Sequence, residues 1–337
     1  MTFLDLLHSA VEGPLDAAQA EQAMSLLLEG NASPAQTAAF LTALRVRGET
    51  GEEVAGFARA MRARVNPVDP GPGPVIDTCG TGGDGQGTFN VSTVAAFVAA
   101  GAGARVAKHG NRSISSQCGS ADILEALGVK ITLDPAQMGQ CIRETGIGFL
   151  FAPALHPAMK HAQPIRVELK MRTVFNMLGP LTNPAGAEAQ LIGAWSPLAA
   201  ELMAQALLQL GLKRGFVVHG HDGMDEITTT SATLAFEIRD GALDRIELHP
   251  DDFGIRIARP ADLRGGDRES NTTIARAVLN GEKGPRRDIV LVNAAAALVA
   301  SGHAEDFRQA MSLAAESLDS GAARKKLETL AEFTHRL

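Results

Sequence analysis

The stretch Val75-Ile76-Asp77-Thr78-Cys79-Gly80-Thr81-Gly82-Gly83-Asp84-Gly85-Gln86-Gly87-Thr88-Phe89-Asn90-Val91-Ser92-Thr93 decides the fold. A short apolar run enters it, five glycines follow, and an apolar helical pattern over residues 92–100 leaves it. Strand, glycine loop and helix in that order open a βα unit. Glycine lets backbone N–H groups approach an anion closely, and a helix start adds N–H donors and a positive dipole end. Asn90, Ser92 and Thr93 set short polar side chains at the same point. The pattern points to a phosphate or pyrophosphate cradle; a mobile surface loop is the plain alternative for a bare glycine cluster. Two familiar phosphate motifs fail here. Residues 80–85 fit the dinucleotide pattern formally, but no Asp or Glu occurs from residue 85 to residue 121, so the ribose-holding acid is missing. No Gly-Lys-Ser/Thr follows either, which excludes a P-loop.

Downstream, the same acid-free stretch contains a second cluster, Lys108-His109-Gly110-Asn111-Arg112-Ser113-Ile114-Ser115-Ser116, just after an expected strand at 104–107. Ligands of open α/β sheets collect at the carboxyl ends of strands, so the two loops should face one crevice. Lys108 and Arg112 supply charge; Asn111, Ser115 and Ser116 supply hydrogen bonds. Further on, the pattern predicts a helix at 121–127 and strands at 129–132, 191–194, 215–219 and 288–292. Alternating βα units argue for an α/β domain with a mostly parallel central sheet. The predicted strand at 215–219 leads into a loop with the adjacent pair Asp225-Glu226. Magnesium is usually held by one or two carboxylates plus waters and substrate phosphates; alone, the dipeptide is commonplace and a solvated loop is the simpler account. His219 and His221 have weak metal spacing and are taken as structural. Arg166, on a helix expected to start at Pro164, has a fork suited to a substrate carboxylate, with a surface salt bridge as the alternative. Gly179-Pro180 and Asn183-Pro184 mark tight turns that could line a pocket.

Upstream, the first 65 residues are helical with clear punctuation. Asp16 with Gln19, Ser33 with Gln36, and Thr50 with Glu53 are capping-box pairs. Pro34 fits a first helical position, and Gly30 and Gly48 fit helix ends. A further helix is expected before Asp16. Four prolines among residues 65–74 mark a linker. The expected division is therefore a small N-terminal α-helical bundle domain, residues 1–70, and a larger α/β domain, residues 71–337, with helices from about 164–185 joining the bundle in space.

Composition narrows the partners. The chain has 337 residues, 45% hydrophobic and 20% charged, with 31 Lys+Arg against 38 Asp+Glu and a net charge of −7. That balance, with one Trp and no Tyr, speaks against nucleic-acid binding. The longest apolar run, residues 94–104, is far short of the ~20 residues needed to span a bilayer, so no membrane partner is expected. Three widely spaced cysteines fit neither a disulfide framework nor a zinc site. With no basic leader at the start, the expected location is cytoplasmic.

The combination Gly80-Thr81-Gly82-Gly83-Asp84, Asn90-Val91-Ser92-Thr93, Lys108-His109-Gly110-Asn111-Arg112 and residues 176–184 resembles the anthranilate phosphoribosyltransferase family across essentially the whole chain. The resemblance implies a fold of the nucleoside phosphorylase/phosphoribosyltransferase type, with the site in the cleft between the domains. It implies transfer of phosphoribose from phosphoribosyl pyrophosphate to anthranilate with Mg2+, one or two ions, in tryptophan biosynthesis. Contacts to phosphoribosyl pyrophosphate are implied for Gly80, Gly83, Asp84, Thr88, Asn90, Val91, Ser92, Thr93, Lys108, His109, Gly110, Asn111, Arg112, Ser113, Ile114, Ser115, Ser116 and Ser120. Gly80, Asn111 and Arg166 would contact anthranilate, with His109 and Pro180 near its path. Ser92, Asp225 and Glu226 would bind the metal. No acid or base is assigned; Lys108, His109 and Asn111 would position the substrates and stabilise the leaving group. A homodimer through the helical domain is implied as well. The sequence departs from the commoner family pattern at Ser113, Gln117, Cys118, Leu155 and Lys170, the last standing where glycine is common. A nucleoside phosphorylase of the same fold is the neighbouring alternative, against which Asp225-Glu226 and residues 176–184 weigh.

Overall fold

The structure of the chain, a computed structural model, describes residues 1–113 and 117–337. Four helices open it: α1 (Phe3–Glu12), α2 (Ala17–Leu28), α3 (Pro34–Arg47) and α4 (Gly51–Arg62). Each begins with a capping box, from Thr2–Asp5, Asp16–Gln19, Ser33–Gln36 and Thr50–Glu53 in turn. Such a cap satisfies N–H groups the helix cannot pair itself and contributes about 1 kcal/mol. The proline-rich stretch then crosses to the sheet. Its carbonyls at Pro70, Pro72 and Gly73 accept from the Arg105 guanidinium, which ties the linker to the sheet.

The sheet has seven strands: β1 (Ile76–Gly80), β2 (Val106–Gly110), β3 (Ile147–Phe151), β4 (Ala189–Gly193), β5 (Arg214–Gly220), β6 (Thr233–Arg239) and β7 (Ala242–Leu248), ordered 3-2-1-4-5-6-7. The first five run parallel and the last two antiparallel. The chain builds outward from β1 to β3 and then returns to β4, so the order reverses between β1 and β4. Side chains alternate across the sheet. Ile76, Leu191, Phe216 and Val218 join a core with α5 (Val91–Gly101), α6 (Ser120–Ala126), α7 (Pro135–Thr145), α12 (Arg268–Leu279), α13 (Pro285–Ala300), α14 (Phe307–Asp319) and α15 (Ala322–Thr334). Cys79, Ile192 and Val217 join a second core with the four N-terminal helices, α10 (Phe175–Leu181) and α11 (Pro197–Gln209). Two short helices, α8 (Ala152–Leu155) and α9 (Gln163–Leu169), lie between β3 and α10.

Two expected strands are absent. Residues 288–292 lie inside α13, where every residue from Ile289 to Ala300 is buried. A helix buried all round has no polar face, so a short window of it cannot be told from a strand. Residues 129–132 connect α6 to α7 without a strand partner; the Val129 N–H goes to the Leu124 carbonyl and Lys130 N–H to Thr334. Three strands went unforeseen: β3, β6 and β7. For the last two a signal existed in Asp240-Gly241, whose residues take φ of 51° and 83° at the hairpin turn.

Candidate active site

The site is built from the loops at the carboxyl ends of β1, β2 and β5. The glycine loop after β1 sits at the reversal of strand order, where open α/β sheets bind ligands. Glycine is required by crowding at its base. A Cβ on Gly80 would stand 2.7 Å from Asp225 Oδ2, and one on Gly193 would stand 1.5 Å from the Asp225 carbonyl oxygen. The Asp225–Glu226 segment is thus pressed directly onto the ends of β1 and β4.

Both carboxylates bind loop backbone. The Gly82 N–H donates to Asp225 Oδ2 at 2.8 Å, and the Ser92 N–H donates to Glu226 Oε1 at 3.1 Å. Glu226 therefore takes up an N–H at the positive end of α5 that the sequence alone left open for a ligand anion. Asp84 adds a third carboxylate, with Asp225 N–H near its Oδ2 at 3.4 Å. Part of each side chain faces the cleft, yet the surrounding protein strips enough water to raise Asp225 to about 7 and Glu226 to about 8. The second cause is mutual repulsion: Asp84 acts on Asp225, and Asp225 acts on Glu226.

Lys108 is 3% exposed and reaches across the gap between β1 and β2. Its Nζ donates to the Thr78 carbonyl and lies 3.4 Å from Ser92 Oγ. The gap exists because β1 and β2 share only the register pair Ile76–Val106. Beyond that pair, Asp77 replaces the ladder. One of its oxygens accepts the His109 N–H at 3.0 Å and the other accepts Asn183 Nδ2 at 2.8 Å. Burial raises Asp77 to about 6, offset by Asn183 and Lys108.

His109 joins this floor to the helical side. Its Nδ1 lies 3.1 Å from the Gly179 carbonyl and its Nε2 3.1 Å from His156 Nε2. A carbonyl only accepts, so His109 carries its proton on Nδ1 and His156 donates from Nε2. Burial lowers His109 to about 3 and His156 to about 4, so both rings are neutral. Gly179 lies one helical turn after Phe175 in α10, and the Arg166 guanidinium stacks on Phe175 at 5.3 Å. Among the described residues Arg166 has no ion pair; its one side-chain hydrogen bond goes to Gln163 Oε1 at 3.3 Å. Pro180 is buried, and its carbonyl accepts from Gln190.

The cations expected from the acid-free stretch divide differently in space. Arg105 serves the linker. Arg112 makes a bidentate pair with Glu125 at 2.6 and 2.8 Å and a further bond to Asp122 at 2.9 Å. These acids lie just past the stretch in sequence and fold back onto it. Arg172 does face the loop: it donates to the Gly83 carbonyl and stacks on Trp195 at 5.2 Å. Sequence alone gives no signal for it, since an arginine in a helix-rich segment carries no local mark. Asn111 and Ser120 are joined, Ser120 Oγ donating to the Asn111 carbonyl at 3.2 Å. Gly110 ends β2, and Ser113 N–H donates to Asp122 at 3.2 Å. Thr88 pairs with Arg264 in an isolated bridge, and Val91 and Thr93 are buried at the start of α5. Ile114, Ser115 and Ser116 lie outside the described residues.

The donor set suits a hard cation. Two carboxylates and the Ser92 hydroxyl are oxygen ligands of the kind magnesium takes. Among the described residues no three His, Cys, Asp or Glu side chains gather as a ready metal cage, so the rest of a magnesium shell would come from substrate oxygens and water.

Sequence families match in two pieces: "Glycosyl transferase family, helical bundle domain" over residues 5–65 and "Glycosyl transferase family, a/b domain" over residues 72–324. The anthranilate phosphoribosyltransferase of Solibacter usitatus is 62% identical over 330 residues, covering 97% of each chain. The chain belongs to the anthranilate phosphoribosyltransferase family. Solved structures of family members superpose on it closely. The crystal structure of the Thermus thermophilus enzyme has a TM-score of 0.93 at 45% identity, covering 98% of this chain and 99% of its own. The Saccharomyces cerevisiae protein in complex with PRPP and Mg has a TM-score of 0.91 at 29% identity, covering 100% and 98%; it is also known with 4-fluoroanthranilate. The family's helical-domain-plus-α/β architecture, with its mostly parallel sheet, is the one seen here.

Proposed function

We infer that this chain transfers the 5-phosphoribosyl group from phosphoribosyl pyrophosphate to the amine of anthranilate. The products are N-(5-phosphoribosyl)anthranilate and pyrophosphate, and the step belongs to tryptophan biosynthesis. One observation carries the reading beyond family membership. A glycine loop at the strand-order reversal is backed by three carboxylates, Asp84, Asp225 and Glu226. Such a floor repels a polyphosphate by itself and accepts one only together with a divalent cation.

Ser92, Asp225 and Glu226 are proposed to hold Mg2+, which when bound neutralises the pyrophosphate as it departs. The backbone N–H groups of the glycine loop, with Gly83, Asp84, Thr88 and residues 90–93, cradle the phosphates. Lys108 and the 109–113 segment, with Ser120, hold the ribose side; the Arg112 side chain joins only if its pair with Glu125 opens. Breaking the anomeric C–O bond leaves oxocarbenium character on ribose, and the amine nitrogen donates its lone pair to that carbon. An aromatic amine is neutral near pH 7, so catalysis rests on placement and on charge stabilisation at the leaving group, not on a strong base. Arg166, free of any acid among the described residues, is proposed to hold the anthranilate carboxylate, with Gly80 and Asn111 against the same molecule and His109 and Pro180 along its path. The proposed division into residues 1–70 with 164–185 and residues 71–337 is supported by the separate family matches over residues 5–65 and 72–324, while the second apolar core runs across it from the bundle onto one face of the sheet. A homodimer through the helical domain is proposed too, supported by exposed Leu4, Val11 and Val46 on the mutually packed α1 and α3. No described helix is long and apolar enough to cross a membrane; a cytoplasmic location is proposed from the biosynthetic reaction inferred for the chain.

The test mixes protein, Mg2+, phosphoribosyl pyrophosphate and anthranilate and follows anthranilate fluorescence. A decline that needs all four components is expected. No decline, with phosphorolysis of a nucleoside in its place, would overturn the reading.

A further inference from the structure

We infer that Asn271 is a positioning residue for phosphoribosyl pyrophosphate: it fixes which way the Asn90 carboxamide points and so locks the glycine loop to the loop after β2. This rests on the phosphoribosyl transfer inferred above.

Asn271 stands near the start of α12, 181 residues from Asn90 in sequence, and is 2% exposed. Its Oδ1 accepts the Gly266 N–H at 2.8 Å. A carboxamide has one accepting and one donating end, so this bond turns Nδ2 of Asn271 toward Asn90, whose Oδ1 accepts it at 3.1 Å. Asn90 is then left with its own Nδ2 facing the Cys118 carbonyl, to which it donates at 3.0 Å. Were Asn90 reversed, its oxygen would face the Cys118 carbonyl and its NH2 would face the NH2 of Asn271. Both contacts would be repulsive. The Asn271 amide also meets the Cys118 thiol, so its second N–H has a partner.

One buried amide thus joins three segments: the strap at residues 264–266, Asn90 at the head of α5, and the end of the loop that follows β2. The strap is itself held against the glycine loop. Gly265 N–H donates to the Gly87 carbonyl at 2.9 Å, and Thr88 pairs with Arg264. Approach is close enough that a Cβ on Gly265 would stand 2.6 Å from Asn271 Oδ1 and 2.7 Å from Phe89 N. A leucine at 271 could fill similar space without burying a polar group. What the amide adds is direction: every donor and acceptor is satisfied in only one orientation, and a network satisfied in one orientation specifies geometry. Asn271 lies behind Asn90 and acts on the substrate only through it.

The experiment compares wild type with Asn271→Asp, which keeps the shape and the Gly266 bond but cannot donate. The expected result is a rise of about tenfold in KM for phosphoribosyl pyrophosphate, with KM for anthranilate within about twofold and Tm within about 3 °C of wild type. Asn271→Ser, smaller but with a hydroxyl able to donate to Asn90, should recover part of that rise; it carries the same comparison if the Asp variant does not fold. Unchanged KM for phosphoribosyl pyrophosphate in the folded variants overturns the inference. So does an equal rise for both substrates, which would mark a general structural role. A wild-type enzyme that turns over no anthranilate under the same conditions would sink the reading of the reaction instead.

Discussion

Asp225 and Glu226 bring negative charge into a place where unliganded protein gains nothing from it. Both are raised, to about 7 and about 8, by burial first and by neighbouring carboxylates second. A carboxyl raised above its unfolded value costs stability once pH exceeds that value. Asp225→Ala with Glu226→Ala should therefore leave Tm at pH 8 unchanged or higher, while Mg2+-dependent turnover falls on the order of a hundredfold. Near-normal turnover would remove the metal assignment. The His109–His156 pair has the opposite linkage. Both rings are neutral in the folded chain, at about 3 and about 4, whereas unfolded histidine takes a proton below ~6.5. The unfolded state binds more protons between those limits, so this contribution is full above about 6.5 and is lost as pH falls toward 4. His156→Gln can still donate to His109 but does not titrate. Its Tm should decline less steeply than wild type between pH 6.5 and 4, and identical slopes would contradict a neutral buried pair.

At the scale of elements, the glycines divide into two kinds that sequence does not separate. Gly193 ends β4 with the Asp225 backbone where a Cβ would go, at 1.5 Å. Gly85 has open space around it but a φ of +77°. Gly193→Ala must move Asp225 and should cost about 3 kcal/mol in urea unfolding, at the upper end for overpacking. Gly85→Ala meets only the left-handed penalty of about 1–2 kcal/mol. Equal costs would show that the Asp225 segment yields freely. Lys170, named in the sequence analysis as a departure from the commoner pattern, ends α9 at φ 48°, a left-handed conformation that favours glycine. Helix caps were the most legible elements, because a cap is a contact three residues long. The three boxes expected at Asp16, Ser33 and Thr50 are all formed. Strands were less so: α13 is buried all round and imitates one, while β3 shows no alternation because it is buried on both faces.

Across the whole molecule, the exposed apolar side chains Leu4, Val11 and Val46, the last 82% exposed, belong to α1 and α3, which pack against each other in the helical bundle. If they form the proposed dimer face, light scattering should give twice the chain mass for wild type. Val11→Glu should give the chain mass with activity per protomer measured alongside; a monomeric wild type would remove the proposal. Assembly over distance also redrew the charge pattern. The acid-free stretch from residue 85 to 121 suggested a cationic pocket. In space Arg105 binds the linker, Arg112 binds α6, and two carboxylates, Asp225 and Glu226, enter from elsewhere, which fits the proposal that a metal as much as basic side chains holds the phosphates.

By itself, the sequence determined the helical start, the βα grammar, the glycine cradle and the residues grouped around it. These are local: periodicity, caps and glycine spacing act within a few residues. Only the tertiary structure decided which charges face one another, that Glu226 caps α5, that Arg166 lacks an acid partner among the described residues, and that Asn271 orients Asn90. Those facts depend on contacts between residues more than a hundred positions apart, such as Ser92 with Glu226 and Asn90 with Asn271, and chain packing, not local spacing, brings them together.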